Sequence, residues 1–223
     1  MKKIIYSAVA ATMALTAVPG SAATLLTSAG GYTGPTLDIG SFAGNPFVFS
    51  AGPFALPGGI TYSASASNSV IGAGSYGLDG NGVVTSDVDI IGTNNGTSIV
   101  TLTFDSVVSS FGGMVNYAPD NGDNATIAAF DINDNLIGSF DLTALAPIST
   151  PGAVNAFDFR GIDGDGVGIK SFTLSGDFLI IQAGGLAAAV PEPATWAFMI
   201  FGFGAIGGAL RRTRKANVKV SYA

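Results

Sequence analysis

An all-β fold, an antiparallel β-sandwich of jelly-roll type, is predicted for the body of this chain by three observations. No segment between Thr24 and Val190 sustains the 3.6-residue apolar period of a helix. Short runs alternate apolar and polar side chains instead, and clusters of Gly, Asn, Asp and Ser separate them at fairly regular intervals. Every acid in this stretch is Asp, fourteen of them with no Glu, and Asp favours turns and caps where Glu favours helices.

The elements follow in order. Thr36 to Phe42, Phe47 to Ser50, Ile60 to Ala66 and Val88 to Ile91 are short strand candidates. Ser98 to Asp105 is the clearest strand, with Val100, Leu102 and Phe104 on one face and Thr101, Thr103 and Asp105 on the other. Ala125 to Ile132 and Leu136 to Leu142 flank Asn133-Asp134-Asn135, a connector of hairpin length, and Leu136, Phe140 and Leu142 are expected to share a face. Asn155 to Arg160 brings Phe157 and Phe159 together, and Ile169 to Ser175 offers Phe172 and Leu174. Phe178 to Gln182 is a continuous apolar run, as a strand buried on both faces requires, and Gly176-Asp177 before it is a tight turn. Many short strands with polar turns between them call for two packed antiparallel sheets.

The two ends differ from this body. Met1-Lys2-Lys3, an apolar run from Ile4 to about Val18, the Pro19-Gly20 break and small residues Ser21, Ala22 and Ala23 read as a signal peptide over residues 1–23. Signal peptidase would cut after Ala22 or Ala23. The body then runs over 24–183, and the small residues of 184–190 form a linker. Ala194 to Leu210 carries no charge over 17 residues, a helix of about 26 Å against a hydrocarbon layer of ~30 Å. Arg211, Arg212, Arg214 and Lys215 follow it, so they can snorkel, and the basic cluster places residues 216–223 in the cytoplasm and the body outside. A buried core helix is the alternative, but it would show a polar face, and this run has none. Gly204 and Gly208 have the spacing that lets two such helices approach closely.

Ahead of that run stand Pro191-Glu192-Pro193, then Trp196 and Ala197. The prolines hold a short extended strip outside the helix that follows. The order Pro-Glu-Pro, apolar span, basic cluster resembles the tail of PEP-CTERM proteins, in the variant written PEPxxWA. The likeness covers about Val190 to Lys215. It implies recognition by an exosortase, a membrane-embedded protease of Gram-negative bacteria that export polysaccharide, with cleavage near the Pro-Glu-Pro and delivery to the cell surface or extracellular matrix. It implies no catalysis by this chain. Val107 to Ile181, with Phe111-Gly112-Gly113, Phe130-Asp131 and a final Phe-Leu-Ile-Ile strand, is similar in pattern to lectin-like or galactose-binding-like jelly rolls.

Composition limits the chemistry. The chain has no Cys and no His, which removes disulfides, Ser-His-Asp and Cys-His sites, and the usual zinc ligand sets. Within 24–190 the fourteen Asp face only Arg160 and Lys170, a net of −12, so nucleic acid is an implausible partner. The catalytic route left is a carboxylate pair about 5–9.5 Å apart, as in glycoside hydrolases. Lys170 and Ser171 are strand neighbours that point to opposite faces, so a Ser-Lys dyad is not expected.

Three candidate sites stand against structural readings. Asp163-Gly164-Asp165-Gly166 starts like a calcium loop, but Val167 and Leu174 occupy its fifth and twelfth places. Asp131 to Asn135 fails in the same way, with Leu136 where Gly is needed. Irregular calcium sites at Asp131, Asp134, Asp163 and Asp165 are one reading, and turn formation is the other. Tyr117 beside Asp120 and Asp123 has the composition of a sugar site, an aromatic platform with carboxylates to grip hydroxyls. Alternatively, Tyr117 is a strand residue that packs at the sandwich edge.

Overall fold

The computed structural model describes residues 23–152 and 156–184. Its elements, in chain order, are β1 (Thr24–Leu26), β2 (Val48–Phe49), β3 (Phe54–Leu56), β4 (Ile60–Ala64), β5 (Val70–Ala73), β6 (Tyr76–Gly77), β7 (Val83–Val84) and β8 (Asp89–Gly92). They continue with β9 (Ile99–Val108), β10 (Ser110–Asn116), β11 (Thr126–Phe130), β12 (Leu136–Asp141), the single-turn helix α1 (Leu142–Leu145), β13 (Asp158–Asp163), β14 (Ile169–Ser175) and β15 (Ile180–Gln182). All strand pairings between these elements are antiparallel.

Two sheets face each other. One has seven strands in the order β1-β13-β10-β15-β8-β5-β2, the other six in the order β12-β11-β14-β9-β4-β3. From β8 to β15 the chain visits the sheets so that β8, β10, β13 and β15 fall in the first and β9, β11, β12 and β14 in the second. With the orders β13-β10-β15-β8 and β12-β11-β14-β9, this is the wound connectivity of a jelly roll, extended at the sheet edges by the earlier strands.

The core is the alternation of the sequence made physical. Val100, Leu102 and Phe104 of β9 are buried, as are Phe172 and Leu174 of β14, and from the opposite sheet Ile71, Ile91, Phe111, Val115 and Ile181 meet them. Phe111 sits between two rings, 4.9 Å from Phe104 and 4.9 Å from Phe172 by centroid. Such pairs add about 0.5–1.5 kcal/mol each beyond the area they bury.

The seven-stranded sheet is buried on its outer face as well. Residues 74–88 leave β5, fold back over it and return to β8, and the β6–β7 ribbon they contain packs Tyr76, Leu78 and Val84 on Val70, Ile90 and Ile180. That explains the unbroken apolar pairs Val70-Ile71, Ile90-Ile91 and Ile180-Ile181, since each neighbour enters a different core. Phe-Gly-Gly has a packing reason too. A Cβ on Gly112 would lie 2.6 Å from the Cα of Gly161 and 2.7 Å from the Arg160 carbonyl oxygen, so β10 and β13 meet through paired glycines.

Several expected elements differ. Thr36 to Phe42 is not a strand: Leu37 and Ile39 are buried, but Asp38 accepts a hydrogen bond from the Gly40 amide and turns the chain into a 3₁₀ turn at Gly40–Phe42. Leu136 does not share the inner face with Phe140 and Leu142. Pairing jumps from Ala129↔Gly138 to Phe130↔Leu136, so Ile137 is the extra residue of a bulge and Leu136 is left 58% exposed. Gly176-Asp177 is the expected tight turn, closed by the Leu179 amide on the Gly176 carbonyl at 2.8 Å, but it carries the chain between the two sheets and joins no hairpin. β1, β3, β5, the β6–β7 ribbon and α1 were not expected from the sequence.

Candidate functional site

The sandwich has two distinct ends. Ser109, between β9 and β10, is a corner where the chain changes sheets, and its carbonyl accepts a hydrogen bond from Gly164 in the β13–β14 corner. Thr24 pairs with Asp163 at this corner end, and β15 runs toward it, with Ala183 bonded to Asp89 and Gly184 to Leu37. The described chain therefore begins and stops at the same end. Opposite lies a loop end, formed by 65–68, 93–98, 119–124 and 176–178.

The candidate calcium residues lie in two corner-end turns. Asp131 accepts hydrogen bonds through Oδ1 from the amides of Asn133 (2.8 Å) and Asn135 (2.9 Å), and through Oδ2 from the Asn135 side chain (2.9 Å). The bond from the Asn135 side chain, with those from the backbone, holds its pKa below the usual carboxylate value. Asp134 takes the left-handed position of the same turn, φ 60°. Asp163 Oδ1 accepts from the Asp165 amide at 2.8 Å, and Asp165 Oδ2 accepts from the Thr24 hydroxyl at 2.6 Å. Among the described residues, no three acidic groups come together as a metal would need. What these aspartates visibly do is close turns.

The same holds elsewhere. Asp79, Asp120, Asp134, Asp165 and Asp177 all have positive φ, a region that Asp tolerates better than most side chains. Asp141 caps α1 by accepting from the Ala144 amide. Arg160 spends its guanidinium on the carbonyls of Ala146, Phe159 and Pro147 and on Asp158, and Lys170 donates to the carbonyls of Phe104 and Asp105.

Tyr117 leaves the set of ligand candidates. It is 2% exposed, so neither ring face can meet a sugar, and its hydroxyl accepts a hydrogen bond from the Ile148 amide at 3.2 Å. It belongs to a buried polar hub that the sequence did not announce. Asn81, held in the 3₁₀ turn Asp79–Asn81, donates to Asn116 Oδ1, the Tyr117 carbonyl and the Ile148 carbonyl, and accepts from the Thr150 amide. Asn116 in turn donates to the Thr150 hydroxyl and the Ala156 carbonyl. The hub ties β10 to the connector that crosses between the sheets after α1.

Asp120 and Asp123 remain at the loop end, apart from Tyr117. Three glycines let the loops close up there: a Cβ on Gly122 would lie 2.4 Å from Gly96 Cα, and one on Gly176 would lie 2.3 Å from the Asp123 and Asn124 carbonyl oxygens. On this floor Thr97, Ile99, Asp123, Asn124, Thr126 and Ser175 line an open polar depression of about 560 Å³. Behind it, buried Asp177 accepts from the Asn121 amide at 3.0 Å. Desolvation pushes its pKa up, with Asp120 and Asp141 adding to the rise.

Pro191, Glu192, Pro193, Trp196, Ala197, Arg211, Arg212, Arg214 and Lys215 lie outside the described residues, as do the signal peptide and the apolar run Ala194 to Leu210. Among the described residues, no helix is long and apolar enough to cross a membrane. No curated protein and no solved structure matches the chain. A family model described as the PEP-CTERM protein-sorting motif matches residues 189–215, the same residues that carry the resemblance in the sequence. The chain is thus a protein that bears a C-terminal PEP-CTERM sorting motif, which implies export and sorting through exosortase toward the cell surface.

Proposed function

We propose that this protein is a noncatalytic component of a Gram-negative cell surface or extracellular matrix, released from a transient membrane anchor by exosortase and associated there with exopolysaccharide. The sorting motif at 189–215, directly behind a folded sandwich whose last strand ends at Gln182, carries the reading. A noncatalytic role draws support from the absence of His and Cys and from the use of so many aspartates as turn acceptors. A lectin-like module for carbohydrate or calcium is the second reading, favoured by the Asp123-lined depression at the loop end.

Mass spectrometry of the protein from cells and from medium tests the proposal. A new C-terminus near Pro191 is expected, in protein that co-purifies with the cells' own polymer. A surface protein that still carries Ala194 to Leu210 would refute the sorting step.

A further inference from the structure

The outer face of the six-stranded sheet is lined by small hydroxyl side chains. On β4, β9 and β14 the side chains that alternate with the core residues are Thr61, Ser63, Thr101, Thr103, Ser171 and Thr173, all partly exposed. They stand in register across the sheet: Thr61 beside Thr103 beside Ser171, and Ser63 beside Thr101 beside Thr173. Neighbouring strands lie about 4.8 Å apart, so the two rows form a lattice of hydroxyl and methyl groups. None of the six hydroxyls has a hydrogen-bond partner among the described residues, whereas Thr126 and Ser175 at its loop-end border do. Phe130 continues the first row, facing outward and partly exposed.

Charge stands at the borders of these rows and not within them. Asp105 follows Thr101 and Thr103 on the outward side of β9, Asp123 and Asp141 stand at the loop-end border, and Lys170 beside the first row is bound to backbone carbonyls. A net of −12 over 24–190 disfavours a polyanion, and a partner that is itself uncharged and rich in hydroxyls meets no such penalty.

We propose that this face binds an extended neutral polysaccharide, its hydroxyls paired with the Thr and Ser rows and an apolar sugar face seated on Phe130. The proposal rests on the matrix association given above and names the surface and ligand class behind it. Calcium plays no part in it.

The test is retention of the full chain, purified in detergent, on cellulose and dextran, with alginate as the polyanion and a chelator present throughout. Wild type is expected to be held by at least one neutral glucan and not by alginate. The isosteric variant T101V/T103V/T173V removes three hydroxyls while keeping β-branched strand residues, and should bind about tenfold more weakly or less. T101S/T103S/T173S should stay near wild type, and Phe130→Ala should also weaken binding. Unchanged retention of the valine variant, binding to alginate alone, or no retention by either neutral glucan would overturn the proposal. So would a wild-type dimer that the valine variant abolishes, since the face would then serve a second copy of this chain. Mass spectrometry of the C-terminus in the same cultures keeps the outcomes separate: correct processing without glucan binding defeats this inference and leaves sorting intact.

Discussion

The seven-stranded sheet is covered on both faces at β5, β8 and β15, and the six-stranded sheet is covered on one. In the first, Ile90 and Ile91 enter opposite cores because residues 74–88 fold back over the sheet. In the second, Leu102 is buried while Thr101 and Thr103 stay partly exposed, with no described strand laid over them. The contrast separates the work of stability from the work of contact. Burial on two sides makes the first sheet a frame, and the open side of the second is the surface on which the proposed polysaccharide would lie.

Substitutions should divide along the same line. Phe111→Ala removes the ring between Phe104 and Phe172 and is expected to cost about 3–5 kcal/mol in chemical denaturation. Thr103→Ala, across the core on the open face, should stay within ~0.5 kcal/mol. Equal losses from the two would erase the distinction. Asn81→Ala comes between them. It leaves the Thr150 amide and the Tyr117 and Ile148 carbonyls without their buried partner, an expected loss of about 2–3 kcal/mol. A near-neutral result would mean that water replaces Asn81 and that the hub does not brace the sandwich.

How far the sequence could be read follows the same contrast. β9, the β11–β12 hairpin and β14 were legible because their alternation is one-sided, and that is the signal a half-buried strand leaves. β15 was legible as an apolar run. β5, with the same double burial, was not: Val70-Ile71-Gly72-Ala73 is too short to stand out, and the ribbon that covers it has no pattern of its own. Tyr117 stayed open between a sugar platform and a packed residue because Asn116, Asp120 and Asp123 lie near it in sequence, while its partners in space, Asn81 and Ile148, are 36 and 31 residues away. Local composition cannot report such contacts. The sorting motif was legible in full, since it works as a linear string.

The smallest expected effect concerns how the six-stranded sheet ends its edge hairpin. Asp131 holds the β11–β12 turn through the Asn133 and Asn135 amides and the Asn135 side chain, and these bonds lower its folded-state pKa below the ordinary carboxylate value. A lowered folded pKa means that the contribution is fully present above the unfolded value of ~3.9 and disappears as pH falls through the folded one. Acid should therefore loosen this turn while the doubly buried strands are unaffected by it. Hydrogen exchange followed from neutral pH down through the carboxylate range, corrected for the intrinsic rate, should show protection falling at the β12 amides and holding at those of β15. Asp131→Asn should lower β12 protection at neutral pH and flatten its further loss in acid, because the group that titrates is gone. If β15 loses protection in parallel with β12, the two sheets open as one unit, and the frame and the contact surface are not separate in energy.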